Sequence, residues 1–217
     1  AGTKSTRPAE ETMKHRMFLL AVAALIASGS AFAQESQPTQ PTPQSQPNQP
    51  APTVNQRREN QQDRIANGVG SGQLTAGETK NLESREANVN REVRDDRQAN
   101  GGKLTQQERQ QVNRQQNNVS HSIYQDKHNG NAAHYGNNEV GQRRENQQDR
   151  IANGIRNGSM NAGEAARVEN HEQGINQQVR ADRQANSGRL TGQQHRQINR
   201  EQNRTSRQIY RDKHNGK

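Results

Sequence analysis

The chain has 217 residues, of which 25% are hydrophobic and 2% aromatic, and its mean hydropathy of −1.44 lies far below that of an ordinary globular domain. It contains no cysteine, which excludes disulfide scaffolds, cysteine-ligated zinc sites and cysteine nucleophiles. Few apolar side chains are left to line a deep active-site pocket, and the net charge of +9 favours anionic partners.

The N-terminal segment is typical of a secretory signal peptide. Residues 13–33 read MKHRMFLLAVAALIASGSAFA, with a basic start, a short apolar stretch and Ala31-Phe32-Ala33 as a small-residue cleavage site. Residues 1–12 precede Met13 and are interpreted as an upstream extension. We therefore expect export to the periplasm or the extracellular space. No cysteine follows the cleavage site to carry a lipid anchor, and no transmembrane segment is expected after processing.

A proline- and glutamine-rich segment, residues 34–55, follows and is predicted to be a disordered linker. The rest of the chain is a tandem repeat. Residues 56–130 align without a gap with a segment 86 residues later, and more than half of the positions are identical. The predicted organisation is therefore repeat one at 56–130, a linker at 131–141 and repeat two at 142–217.

Apolar spacing predicts an all-α fold made of two tandem copies of a three-helix unit. Leu82, Val89 and Val93 are spaced i, i+7, i+11, and the same spacing recurs in the later helices of both repeats. Such a stripe is narrow and coiled-coil-like, so we expect a marginal core and possible self-association. The predicted helices cover 56–68, 76–100 and 106–128, with counterparts 86 residues later.

The predicted helix ends carry capping signals. Asn67-Gly68 and Asn100-Gly101 are typical of left-handed C-caps. Four pairs have the spacing of a capping box, in which each side chain accepts a hydrogen bond from the other residue's backbone: Thr75 with Glu78, Thr105 with Glu108, Asn161 with Glu164, and Thr191 with Gln194.

The same loops resemble the second half of an EF-hand calcium loop, which implies an alternative function as a calcium-responsive protein. The candidate ligands are Asn67, Ser71, Glu78, Asn153, Asn157 and Glu164. The early ligand positions lack carboxylates, and calcium prefers several anionic oxygens. The main interpretation therefore assigns the protein no cofactor and no metal, with calcium as the alternative.

Two segments resemble the LTxxQ motif of the Spy/CpxP-type periplasmic chaperones. Leu190-Thr191-Gly192-Gln193-Gln194 fits the motif, and residues 104–108 fit it with Glu for Gln. The resemblance implies an all-helical exported protein that cradles unfolded protein clients on a basic concave face. This sequence differs from that family in its tandem organisation and in having less hydrophobic surface.

One helix face is strongly basic. At 100° per residue, five arginines of the last predicted helix fall within about 80° and form what we call the arginine stripe: Arg196, Arg200, Arg204, Arg207 and Arg211. The equivalent positions of repeat one hold a single arginine, Arg114. The stripe predicts binding to anionic surface polymers, without sequence-specific recognition of nucleic acid because no aromatic platform accompanies it.

No arrangement typical of an enzyme is present. The chain has no GxSxG, P-loop or HExxH motif, and its histidines form no tight ligand cluster. Glu83 with Glu86, and Asp95 with Asp96, are interpreted as solvated partners of nearby arginines. The sequence therefore predicts an exported, non-enzymatic helical binding or scaffold protein with a chaperone-like or stress-protective role.

Overall fold

A computed structural model describes residues 51–216, so the predicted signal peptide, the upstream extension and residues 34–50 of the predicted linker lie outside the described residues. The all-α prediction is confirmed. The described residues form six α-helices: α1 (Val54–Gly70), α2 (Ala76–Ala99), α3 (Gln106–His128), α4 (Glu139–Arg156), α5 (Ala162–Ala185) and α6 (Gly192–Lys213). None of these helices is both long and apolar enough to span a membrane.

Two helices begin earlier than the sequence pattern predicts. Thr53 caps α1 by accepting a hydrogen bond from the backbone of Gln56, so residues 54–55 are helical rather than part of a linker. Asn138 caps α4 through the backbone of Gly141, so residues 139–141 are helical too. In both places a polar capping residue starts the helix two or three residues early.

The four predicted capping boxes of α2, α3, α5 and α6 are confirmed. The prediction of a C-cap at Asn67-Gly68 is wrong. Helix α1 continues to Gly70, and Gly72 is the residue after it with a positive φ, at 71°. Gly68 is buried instead against Leu74. The Asn100-Gly101 cap is confirmed, since Asn100 ends α2 and Gly101 has φ of 63°.

Helices from both halves of the described chain pack into one bundle. α1 packs against α4 and α2 against α5. Among the six described helices, α3 contacts only α1 and α2, and α6 contacts only α4 and α5. Ile65, Leu82 and Ile123 share one core cluster with Ile151 and Val168. The two halves therefore share their largest core and are not separate globular units.

The predicted apolar stripes are buried in all four long helices, and polar side chains complete the interior. The side-chain amide of Gln61 donates to the backbone carbonyl of Gln116 at 2.6 Å and to the hydroxyl of Ser120 at 2.9 Å. Gln147 makes the same two bonds to Gln202 and Ser206, at 2.8 and 3.0 Å. These amides fasten α1 to α3 and α4 to α6 where the apolar stripe is too thin to do so alone.

Candidate functional site

The arginine stripe lies on the exposed side of α6. Ile198, Thr205 and Ile209 are buried on the opposite side, which fixes the orientation of the helix, and all five arginines are exposed. Within residues 51–216 the ion pair that the structure contains joins Arg94 to Asp95, so no carboxylate pairs with the stripe. Five guanidinium groups therefore face solvent on one side of the bundle.

A groove of about 580 Å³ runs between α5 and α6 beside the stripe. Its floor includes Ile175 and Thr205. A β-carbon placed on Gly174 would meet no atom within 4 Å, so this glycine leaves the groove open. Polar and charged side chains line the walls: Asn170, His171, Gln178, Glu201, Arg204, Gln208 and Arg211.

The equivalent place between α2 and α3 is bridged by hydrogen bonds. Glu92 accepts from Gln111 at 2.6 Å and from Gln115 at 2.7 Å. Arg85 donates to Ser122 at 2.7 Å. Four of the five corresponding residues between α5 and α6 differ, and Gln197 is the one that is unchanged. The groove therefore lies beside the helix that carries the stripe.

The first set of candidate calcium ligands is engaged in other contacts. Glu78 accepts hydrogen bonds from the backbone and hydroxyl of Thr75 on one oxygen and from Asn129 and Asn131 on the other. These bonds outweigh the effect of burial and lower the pKa of Glu78. Ser71 donates to the backbone carbonyl of Gly68. Asn67, the third of this set, lies in α1 rather than in a loop.

The second set of candidate calcium ligands, Asn153, Asn157 and Glu164, is also engaged in other contacts. Glu164 accepts from the backbone of Asn161 and from Asn215, at 2.9 and 2.7 Å, and Asn157 accepts from the backbone of Ser159. The guanidinium of Arg156 donates to Asn153 at 3.0 Å and to Asn67 at 3.1 Å. A fixed positive charge thus lies between two candidate calcium ligands and opposes a cation there.

The two LTxxQ-like segments form helix starts. Thr191 and Gln194 cap α6, and Thr105 and Glu108 cap α3. Leu104 is buried against Val89, Val93 and Val112, whereas Leu190 is half-buried. Capping and core packing therefore account for the residues of this motif.

The prediction for Glu83 and Glu86 is wrong. Both are buried, as are their counterparts Glu169 and Glu172, with exposed fractions of 0, 1, 0 and 1%. Sequence reasoning missed this because acidic residues beside arginines usually face solvent on a lone helix. A signal was present, since both repeats keep glutamate at these two positions next to the apolar stripe. Asp95, in contrast, is exposed in its ion pair with Arg94, as predicted.

His128 and His214 lie at the C-terminal ends of α3 and α6. The Nδ1 atom of each histidine is 2.7 Å from the backbone carbonyl oxygen of the tyrosine four residues earlier. Each imidazole ring also stacks on the ring of that tyrosine. In the described part of the chain, no three histidine or acidic side chains come together in a metal-binding arrangement.

Comparisons of this chain with protein-family models, with characterised proteins and with solved structures give no match.

Proposed function

We propose that this is a non-enzymatic binding protein that holds acidic polysaccharides, in the periplasm or outside the cell, through the arginine stripe of α6. The observation that carries the proposal is the exposure of five guanidinium groups on one helix face, with no carboxylate paired to them within residues 51–216.

A polymer fits the stripe better than a small anion. Arg196 and Arg211 are 15 residues apart, which corresponds to about 22 Å along a helix. Each exposed ion pair contributes little by itself. A chain with regularly spaced negative charges meets several arginines at once and releases its condensed counterions, which supplies the affinity that single contacts lack.

The groove favours a sugar polymer over nucleic acid bases. Amide and hydroxyl side chains such as Asn170, Gln178 and Thr205 line it, and these groups match sugar hydroxyls. No tyrosine, phenylalanine or tryptophan ring lines it. The ring of Tyr210 stacks on His214 at 4.2 Å and does not line the groove.

The test compares two triple variants that remove the same charge. In the first, Arg200, Arg204 and Arg207 are replaced by Gln. In the matched control, Arg91, Arg94 and Arg114, which are exposed on α2 and α3, are replaced by Gln. Affinity for polygalacturonate and for heparin is measured by calorimetry in low salt, and circular dichroism confirms that the helices remain.

The stripe variant is expected to lose about tenfold or more in affinity, because three of its five polymer contacts are removed. The control is expected to keep its affinity within about twofold. Equal losses in the two variants would show that net charge, rather than the stripe, governs binding.

The chaperone-like role remains a prediction from the LTxxQ resemblance. Tyr124 and Tyr210 are the large apolar side chains exposed in the described part of the chain, with 59 and 61% exposure. They offer little apolar surface to an unfolded client, so the polymer-binding proposal has the stronger support.

A further inference from the structure

Four glutamates lie inside the bundle where α2 packs against α5. Glu83 and Glu86 come from α2 and Glu169 and Glu172 from α5, and none is more than 1% exposed. Glu83 is close enough to Glu169 for its charge to oppose ionisation of that carboxyl. The helix pair that joins the two halves of the described chain therefore has acidic groups in its interior.

These carboxyls have few hydrogen-bond donors. Gln62 donates to one oxygen of Glu83 at 3.1 Å, and Gln148 donates to one oxygen of Glu169 at 3.0 Å. Six buried carboxyl oxygens have no hydrogen-bond partner within the described residues: one each of Glu83 and Glu169 and both of Glu86 and Glu172.

An independent feature of the same place is the amide of Gln148. This side chain is 3% exposed and directed at Glu169, yet its own carbonyl oxygen has no partner in the described part of the structure. The Gln148 amide oxygen and one Glu169 carboxyl oxygen are thus buried acceptors without a donor, and protonation of the carboxyl would supply a donor there.

Two arginine side chains act on these glutamates. Arg58 of α1 acts on Glu86, and Arg144 of α4 acts on Glu172. The phenol of Tyr135, from the segment between α3 and α4, stacks under the Arg144 guanidinium at 5.2 Å and also faces Glu169 and Glu172. Two partly buried arginines cannot balance four buried negative charges, so ionisation of all four is strongly opposed.

We propose that these four glutamates make the bundle acid-stabilised: protonated carboxyls permit α2 to pack against α5, and ionisation at higher pH loosens that packing. The device is independent of the arginine stripe, which lies on the exposed side of α6.

The pKa values of the four carboxyls follow from this geometry. Burial raises the pKa of Glu83 to about 8 and that of Glu86 to about 7, the latter against the opposing charge of Arg58. Burial likewise raises the pKa of Glu172 to about 7 and that of Glu169 well above its ordinary range.

The sign of the effect follows from proton binding. An unfolded glutamate has a pKa near 4.5, so between that value and about 8 the folded bundle holds more protons than the unfolded chain. The stabilisation is complete below pH 4.5 and is lost as the pH rises through 7 to 8. For each carboxyl that stays protonated only in the folded state, the folding equilibrium changes about tenfold per pH unit.

Urea unfolding of the full chain, followed by circular dichroism from pH 5 to pH 8.5, tests the proposal. We expect the midpoint to fall as the pH rises. Replacing all four glutamates with Gln should flatten that dependence. A control variant replaces Glu59 and Glu145 with Gln. These two glutamates are exposed at equivalent positions of α1 and α4, so this variant should keep the wild-type dependence of the midpoint on pH. A wild-type midpoint that is constant or rises with pH would overturn the proposal, as would an unchanged slope in the quadruple variant.

A second measurement needs no variant and so does not depend on the quadruple substitution folding. Carbon-13 NMR of the glutamate carboxyls in the full chain should show at least two that titrate at or above pH 7. Titration of every glutamate below pH 5.5 would overturn the proposal.

Discussion

Leu74 covers Gly68 so closely that a β-carbon on this glycine would lie 2.6 Å from the leucine Cδ1 atom. Leu74 follows the end of α1 and is fully buried in the main core, and its backbone amide donates to the carbonyl of Gly68 at 3.0 Å. Gly154 and Met160 have the same relationship after α4. The turn after each of these helices therefore folds back over a helical glycine and inserts an apolar side chain into the core.

Replacing Gly68 with Ala should destabilise the bundle by about 1–3 kcal/mol, because the leucine must move within a packed core. The matched change, Gly174→Ala, should stabilise it by up to about 1 kcal/mol, since that helical glycine has open space and alanine favours helix. Thermal melts of both variants measure the difference. Shifts of the same sign in both would contradict the packing described here.

The hydrogen bonds of the buried glutamine Gln61 should stabilise the packing of α1 against α3. Replacing Gln61 with Leu removes the amide that donates to the Gln116 carbonyl and to the Ser120 hydroxyl, so both acceptors lose a hydrogen bond. We expect a loss of about 1–3 kcal/mol despite the more apolar side chain. Gln110, which is exposed on α3, provides the control substitution to Leu. If urea unfolding shows Gln61→Leu to be neutral or stabilising, these hydrogen bonds do not hold α1 to α3.

Millimolar calcium should leave helicity and melting temperature unchanged. The carboxylates of Glu78 and Glu164 accept hydrogen bonds from backbone and asparagine groups, and the Arg156 guanidinium lies between Asn67 and Asn153. Calorimetry provides the measurement. A saturable heat that disappears in Glu78→Gln and Glu164→Gln variants would instead support the calcium-responsive alternative.

Gly174→Asn places in the groove the residue that repeat one has at position 88, without any change in charge. If the polysaccharide enters the groove, this variant should bind several-fold more weakly while the helix is retained. Calorimetry with a short polygalacturonate oligomer measures the change. Unaltered affinity would mean that the ligand contacts only the outer side of the stripe.

The sequence predicts the helices well because spacing and caps are local properties. The stripe through Leu82, Val89 and Val93 is buried as expected, and Thr75 with Glu78 forms the expected capping box. The interior position of Glu83 depends on how α2 packs against α5, which no single helix pattern contains. The spacing of the apolar residues identifies one buried face of α2. It does not show that the neighbouring face, which carries Glu83, is buried as well.

For the candidate site the situation is similar. Helical periodicity alone places Arg200 and Arg204 on one face, opposite Ile198, and the structure agrees. The groove beside them depends on the separation of α5 from α6 and on the absence of a side chain at Gly174. Both are tertiary features. The difference between Gly174 and its counterpart Asn88 is visible in the sequence, but it does not by itself predict a groove.

The salt dependence of polymer binding tests the central claim most directly. The affinity of the wild-type chain for polygalacturonate is measured at salt concentrations from 50 to 200 mM, alongside the variant in which Arg200, Arg204 and Arg207 are Gln. If the arginine stripe holds the polymer, the plot of log affinity against log salt should be steep for the wild type. Its slope should be shallower by about two to three in the variant, because each lost contact removes one counterion-release term. Parallel plots for the two proteins would contradict the assignment of the stripe as the binding surface.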